Sequence, residues 1–236
     1  MAADLFPAPS LPRLALLDDD DEPVARFPVG RVFCVGRNYA AHAREMGKDP
    51  EREAPFFFMK PASAVASGDT IAYPSLTEDL HHEVELVVAI GRPLAGDVHA
   101  HAGGDVLAAV AGCGVGIDFT RRDLQAVAKD AGRPWEAGKV FDGAAACGAL
   151  RLGHGALVEP DRRIRLAVDG EARQSGTLGQ MIWTAEEVIR RLAQLFGLRA
   201  GDLVFTGTPA GVGAVVRGAV LQARVDGLPP LDVRIV

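Results

Sequence analysis

The sequence predicts a mixed α/β, β-rich fold with short helices. Three observations predict it. Strand-forming runs recur along the chain, among them RVFCV (31–35), VELVVAIG (84–91), IRLAV (164–168), DLVF (202–205) and VLQARV (220–225). They are rich in β-branched and aromatic residues and set between turn-forming ones. Helical signatures, by contrast, are confined to short capped segments. Finally, the 236 residues contain no internal repeat and no low-complexity linker. A chain of that length holds one sizeable core, or one domain with a small appendage.

Composition excludes several function classes. Apolar residues make up 48% of the chain, and no uncharged stretch is long enough to span a bilayer. A net charge of −6 and a pI near 5.5 argue against nucleic acid as partner. MAADLFPAPS (1–10) lacks a basic segment followed by an apolar one, so no secretory signal is expected. Cys34, Cys113 and Cys147 are few and widely spaced, as reduced core residues of a cytoplasmic protein would be.

Taken in order, residues 1–30 read as a short N-terminal β extension, two strands around the acidic run Asp18 to Asp21. In RVFCVGRNYAAHAREMG (31–47), a strand is followed by a tight turn at Gly36, with Asn38 as N-cap of a helix ending at Gly47. His42 and Glu45 are three apart on that helix and share a face. Spacing alone describes an exposed pair; a carboxylate beside an imidazole is also what a general base needs. KDPEREAP (48–55) is a charged, proline-bounded loop and a plausible lid, and FFFMKP (56–61) reads as a buried strand ending near Lys60.

HHEVELVVAIG (81–91) is the stretch around which the rest is organised. Strand residues two apart share a face, so Glu83 and Glu85 present their carboxylates together. Adjacent anions repel unless a cation lies between them. Asp118, at the end of VAGCGVGID (110–118), is the acid expected to join them. Three carboxylates are hard ligands suited to Mg²⁺, Mn²⁺ or Ca²⁺. The alternative is a solvated edge strand. His81 and His82 read as structural or supporting residues, and His99 and His101 as an exposed loop pair.

GCGVG (112–116) lacks the third glycine of a dinucleotide-binding loop, and TGTPAGVG (206–213) lacks the lysine of a P-loop. Thr120 and Asp123 have capping-box spacing before a helix striped by Leu124, Val127 and Ala128. Arg122 and Gln125 share a face near its start, where they could meet an anion or face water. Lys139 stands in an apolar setting, and a buried lysine needs a partner or a function. Downstream come a hairpin around Asp169-Gly170 and a helix capped by Thr184 and Glu187. That helix is expected to bury Val188, Ile189, Leu192, Leu195 and Phe196, and to stop at Gly197.

Seven segments in this order, GRNYAAHAREMG, FFFMKP, HHEVEL, GIDFTRRDLQ, RPWEAGKVFD, VDGEARQSG and TGTPAGVG, resemble the fumarylacetoacetate hydrolase family over residues 31–236, most of all its bacterial fumarylpyruvate and other acylpyruvate hydrolases. The resemblance implies a mixed β-sheet roll with short helices, forming one catalytic domain over 31–236 and usually a homodimer. It implies Mg²⁺ or Mn²⁺ held by Glu83, Glu85 and Asp118, and His42 with Glu45 as the water-activating dyad. Lys139 would lie beside the metal as a catalytic residue, with Arg37, Arg122, Gln125 and Thr208 as contacts to a small 2-oxo acid. Met59 stands where the pattern expects Gln, so it is expected to bear on the choice of substrate tail. The implied reaction is hydrolysis of a C–C bond in a 3-acylpyruvate, foremost fumarylpyruvate. Oxaloacetate decarboxylation, or an isomerase or decarboxylase step of homoprotocatechuate breakdown, is the alternative.

Overall fold

The computed structural model describes residues 5–7, 10–45, 53–94 and 103–236. Its first half runs β1 (Arg13–Leu17), β2 (Pro23–Pro28), β3 (Arg31–Gly36), α1 (Ala40–Glu45), β4 (Phe56–Pro61), β5 (Val65–Ala66), β6 (Thr70–Ile71), β7 (Leu80–His82), β8 (Val84–Ile90), α2 (Gly103–Ala108) and β9 (Val110–Asp118). The second half comprises β10 (Thr120–Arg121), α3 (Arg122–Asp130), α4 (Glu136–Lys139), β11 (Ala145–Leu152), β12 (Arg163–Val168), β13 (Glu171–Thr177), α5 (Ala185–Phe196), β14 (Leu203–Phe205), β15 (Gly213–Val215), β16 (Val220–Val225) and β17 (Leu231–Ile235).

The largest sheet is mixed, in the order β2-β1-β11-β9-β8-β14-β3-β4, with β5 pairing beside β11. The N-terminal hairpin belongs to it, because β1 runs parallel to β11. A second sheet, β13-β12-β16-β17-β6, and a small one, β10-β7-β15, complete the β structure. This is the strand-dominated α/β architecture that the sequence predicts.

Period-two alternation decides what each face of the large sheet carries. Along β8, Val84, Leu86, Val88 and Ile90 enter the larger core cluster, while Val87 and Ala89 enter a smaller one with Val32, Cys34 and Phe205. Along β9, Cys113, Val115 and Ile117 take the larger core, and Gly112, Gly114 and Gly116 face the other way. A Cβ on Gly116 would sit 2.6 Å from both Phe205 and Val87, so the glycines let those neighbours pack against the strand. GCGVG is thus interior strand, in keeping with the rejection of a dinucleotide loop.

Several local expectations need correction. The turn after β3 is made by Arg37, at φ +60°, and Gly36 still belongs to the strand. Asn38 does not cap α1. It is fully buried and clamps two distant segments: Nδ2 donates to the carbonyls of Trp183 and Thr206, and Oδ1 accepts from the Trp183 N–H, all at 2.8 Å. Thr120 and Asp123 form no capping box, since α3 begins at Arg122 with Arg121 as an N-cap that lends no side chain. Lys139 takes the Thr120 hydroxyl at 2.7 Å and Thr77 donates to Asp123 at 2.7 Å. Charge-assisted and tertiary bonds replace the local cap. The buried face of α3 is Gln125 and Ala128, with Val127 62% exposed. FFFMKP is half-buried at the sheet's edge, apart from Lys60, which is 1% exposed.

Other expectations match. α5 has its Thr184–Glu187 capping box, and Gly197 ends it at φ +58°. Its inner face is Val188, Ile189 and Leu192, but the expectation fails for Leu195 and Phe196, which lie half in solvent in the last turn, Phe196 packing on Phe33 at 5.4 Å. The Asp169-Gly170 turn has φ +52° and +83°, as a two-residue hairpin turn requires. Gly47, residues 48–52 of the expected lid, and the His99–His101 pair lie outside the described residues. In the described part of that segment, the Glu53 carbonyl accepts from Trp183 Nε1 at 3.0 Å. Among the described residues, no helix is long and apolar enough to cross a membrane.

Candidate active site

Where β8, β9 and β4 end together, the face carrying the smaller core cluster turns from apolar to ionic. Glu83, Glu85 and Asp118 converge there, all buried, with carboxylate oxygens within 4.8 Å of one another. Lys139 Nζ donates to Glu83 Oε2 and Asp118 Oδ2 at 2.8 Å each, and to Thr120 Oγ1 at 2.7 Å. Arg122 holds the other oxygen of Glu83. Lys60, reaching in from the same face of β4, lies 2.8 Å from Asp118 Oδ1.

The electrostatics differ from acid to acid. Burial alone would push Glu83 up, but Lys139 and Arg122 outweigh it and hold that carboxyl well below the usual range. Burial, with Asp118 and Glu83 adding to it, pushes Glu85 well above its ordinary value. The hydrogen bond given to Glu85 is the Gly207 N–H to Oε2 at 2.6 Å. Lys139 is driven the other way: burial lowers it, and Asp118 and Glu83 more than restore it, so it stays protonated.

This arrangement fits a divalent cation. The donor set is three hard carboxylates, and Glu85 is the acid without an ion-pair partner among the described residues. Asp118 Oδ1 is buried and makes no hydrogen bond, despite its closeness to Lys60. An ion among these oxygens would relieve Glu85, which has no such cation beside it.

A cleft opens from this cluster to the surface. Arg37, His42, Arg122, Gln125 and Thr208 line it together with Glu83, Glu85 and Lys139. His42 is buried in α1, its Nδ1 3.2 Å from Glu45 Oε2, and the Gly211 N–H holds the Glu45 carboxylate at 3.2 and 3.3 Å. Glu45 stands behind His42 and Asp118 at the cleft's floor, so all ten residues named from the sequence gather in one place. Lys139, as placed here, has all three N–H groups engaged and leaves none free for substrate. Met59 is 42% exposed and alternates away from Phe58 and Lys60, so it does not touch the cleft that would hold a substrate tail.

Four further residues shape the site. Lys60 had a signal, a lysine two positions from Phe58 on one strand face. Gln174 lies in the VDGEARQSG segment but was given no role from it: its Oε1 accepts from His82 Nδ1 at 2.9 Å and from the Val84 N–H at 3.0 Å, while Nε2 donates to Thr208 Oγ1 and the Pro209 carbonyl. It thereby fixes the TGTP turn against the start of β8. Burial lowers the His82 pKa, in keeping with a neutral ring donating from Nδ1. Lys129 and Trp135 line the outer cleft.

Comparisons with known proteins identify the family. The family model "Fumarylacetoacetate (FAA) hydrolase C-terminal" matches residues 31–236. A fumarylpyruvate hydrolase of Ralstonia sp. is 40% identical over 190 residues, 79% of this chain and 95% of that enzyme. An oxaloacetate tautomerase of Escherichia coli K12 is also 40% identical, over 203 residues, 85% of this chain and 90% of its own. The crystal structure of a fumarylpyruvate hydrolase from Pseudomonas aeruginosa, in complex with Mn²⁺ and pyruvate, superimposes with a TM-score of 0.89 at 47% identity, covering 99% of both chains.

Proposed function

Because the chain belongs to the fumarylacetoacetate (FAA) hydrolase family, we propose that it hydrolyses the C–C bond of a 3-acylpyruvate, foremost fumarylpyruvate, to a carboxylic acid and pyruvate. The observation that carries this is the opening of the His42–Glu45 dyad and the buried acidic triad into one cleft. In the reaction, water adds to the acyl carbonyl carbon, the bond from that carbon to the methylene breaks, and the methylene gains a proton to give pyruvate.

Glu83, Glu85 and Asp118 would hold Mg²⁺ or Mn²⁺. When bound, the ion supplies positive charge beside the 2-oxo acid end as negative charge accumulates there. His42 accepts a proton from the attacking water, with Glu45 fixing the orientation of the ring. Arg122 and Gln125 orient the 2-oxo acid, joined by Thr208, whose hydroxyl Gln174 fixes. Lys139 orders Glu83 and Asp118 and adds positive charge through space. We also propose a homodimer, which light scattering tests directly.

Keto–enol interconversion of oxaloacetate is a second reading, supported by the equal identity to the E. coli tautomerase. It needs the same 2-oxo acid site and a proton relay but no water addition. One assay separates the two. Purified protein with Mg²⁺ is mixed with fumarylpyruvate, and loss of the enol absorbance is followed alongside fumarate and pyruvate, then repeated with excess chelator. Equal, magnesium-dependent release of both products supports hydrolysis. No products from fumarylpyruvate, with accelerated ketonisation of oxaloacetate, would replace it with the tautomerase reading.

A further inference from the structure

Resting on the acylpyruvate reading, we propose that Arg37 and Lys129 form a second anion site at the mouth of the cleft, which binds a carboxylate at the far end of the substrate's acyl tail. The cations of the inner site are committed: Lys60, Lys139 and Arg122 all pair with Asp118 or Glu83. The outer pair is not. Neither the Arg37 nor the Lys129 side chain makes an ion pair or a hydrogen bond among the described residues, and Arg37 merely lies over the Phe56 ring at 5.0 Å. The acids lining this cleft, Glu83 and Glu85, sit at its floor. A ligand reaching outward therefore passes from the acidic cluster to uncompensated positive charge.

Spacing supports the assignment. Lys129 follows Arg122 by seven residues on α3, two helical turns, so both face the cleft. The rise between their Cα atoms is about 10 Å, comparable to the reach of an extended dicarboxylic 3-acylpyruvate. The wall between the two ends is aromatic. Trp135 meets Phe58 at 6.0 Å and Phe56 edge-on at 5.3 Å, a surface suited to a flat, conjugated tail. Beyond Arg37 and Trp135 the groove continues to Arg133, with Glu136 as the acid along that outer part. The tail-end group selected here is thus an anion, and a neutral tail of equal length gains only the aromatic wall.

Two inert 2-oxo acids test the site. 2-Oxoadipate and 2-oxohexanoate share one carbon chain and differ in the terminal carboxylate. Neither carries a 3-acyl group, so neither can undergo the hydrolysis. Calorimetry on the Mn²⁺-loaded protein should show the dicarboxylate binding about tenfold more tightly. Lys129→Met should narrow that ratio to about threefold, as a rim charge would, and Arg37→Met with Lys129→Met should abolish it. The affinity for 2-oxohexanoate should stay unchanged in Lys129→Met. Equal wild-type affinities, an equal loss for both ligands in Lys129→Met, or failure of both to bind would overturn the proposal. A retained preference in a protein that does not cleave fumarylpyruvate would keep the tail site and change only the reaction.

Discussion

Lys60 Nζ lies 2.8 Å from Asp118 Oδ1, with both side chains sealed from solvent. The same ammonium donates to the main-chain carbonyl of Lys139 and reaches that of Phe119 at 3.4 Å. Lys60 thus joins the edge strand β4 to the segment carrying Lys139 and to the end of β9, and it counters one of three clustered anions. Removing one member of a buried pair leaves the other uncompensated.

Lys60→Met should therefore lower the stability of the metal-free protein by about 3 kcal/mol. Denaturant titrations with chelator and with Mn²⁺ check this. The variant should recover more stability from Mn²⁺ than the wild type does. Equal stability of the two proteins under chelation would remove Lys60 as the counter-charge.

His42→Ala should reduce turnover of fumarylpyruvate by about 10²- to 10⁴-fold, the range of a positioned general base. Mn²⁺ affinity by calorimetry should be unchanged, since His42 is not one of the three clustered acids that could hold the ion. Glu45→Gln should fall between wild type and His42→Ala. Undiminished turnover in His42→Ala would end its role.

Gly207 links the fold to the site. It adopts φ +97°, and a Cβ there would lie 2.6 Å from that of Asn38 while its N–H holds Glu85. Gly207→Ala should cost about 1–3 kcal/mol from the strained backbone and weaken Mn²⁺ binding, because Glu85 moves with its donor. Thermal melts and metal calorimetry read the two effects separately. A destabilised variant with unaltered Mn²⁺ affinity would show that Glu85 does not depend on this turn.

Asp123 sets a pH dependence away from the acidic triad. Burial raises its carboxyl, but the hydrogen bonds from Thr77 Oγ1 and the Leu124 and Glu78 N–H groups outweigh it, so the folded value is depressed. A depressed acid stabilises the fold at every pH above its unfolded value of about 3.9, and that contribution is lost as pH falls through the folded value. Asp123→Asn should cost about 1 kcal/mol at pH 7 and flatten the decline of stability below about pH 4. Acid unfolding curves of matching shape for the two proteins would contradict this.

The strand-rich architecture and the identity of the acids were legible in the order of residues alone. Glu83 and Glu85 could be paired because side-chain direction in a strand has a fixed period of two. The α5 capping box and the Asp169-Gly170 turn were legible for a similar reason, as each is made by residues within four positions of one another. The tertiary structure decided everything that depends on distant segments meeting. Asn38 has the chemistry of a helix cap and is instead used 145 and 168 residues away. Thr120 and Asp123 lose their local box to Lys139 and Thr77. Gln174, in a hairpin strand whose pattern does not reveal its distant partner, fixes Thr208, and Lys60 reaches Asp118 only because β3 and β14 place β4 on the same sheet as β8 and β9. A short polar side chain can satisfy itself locally or across the fold, and the buried ionic cluster, which must find every partner it can, settles which bond forms.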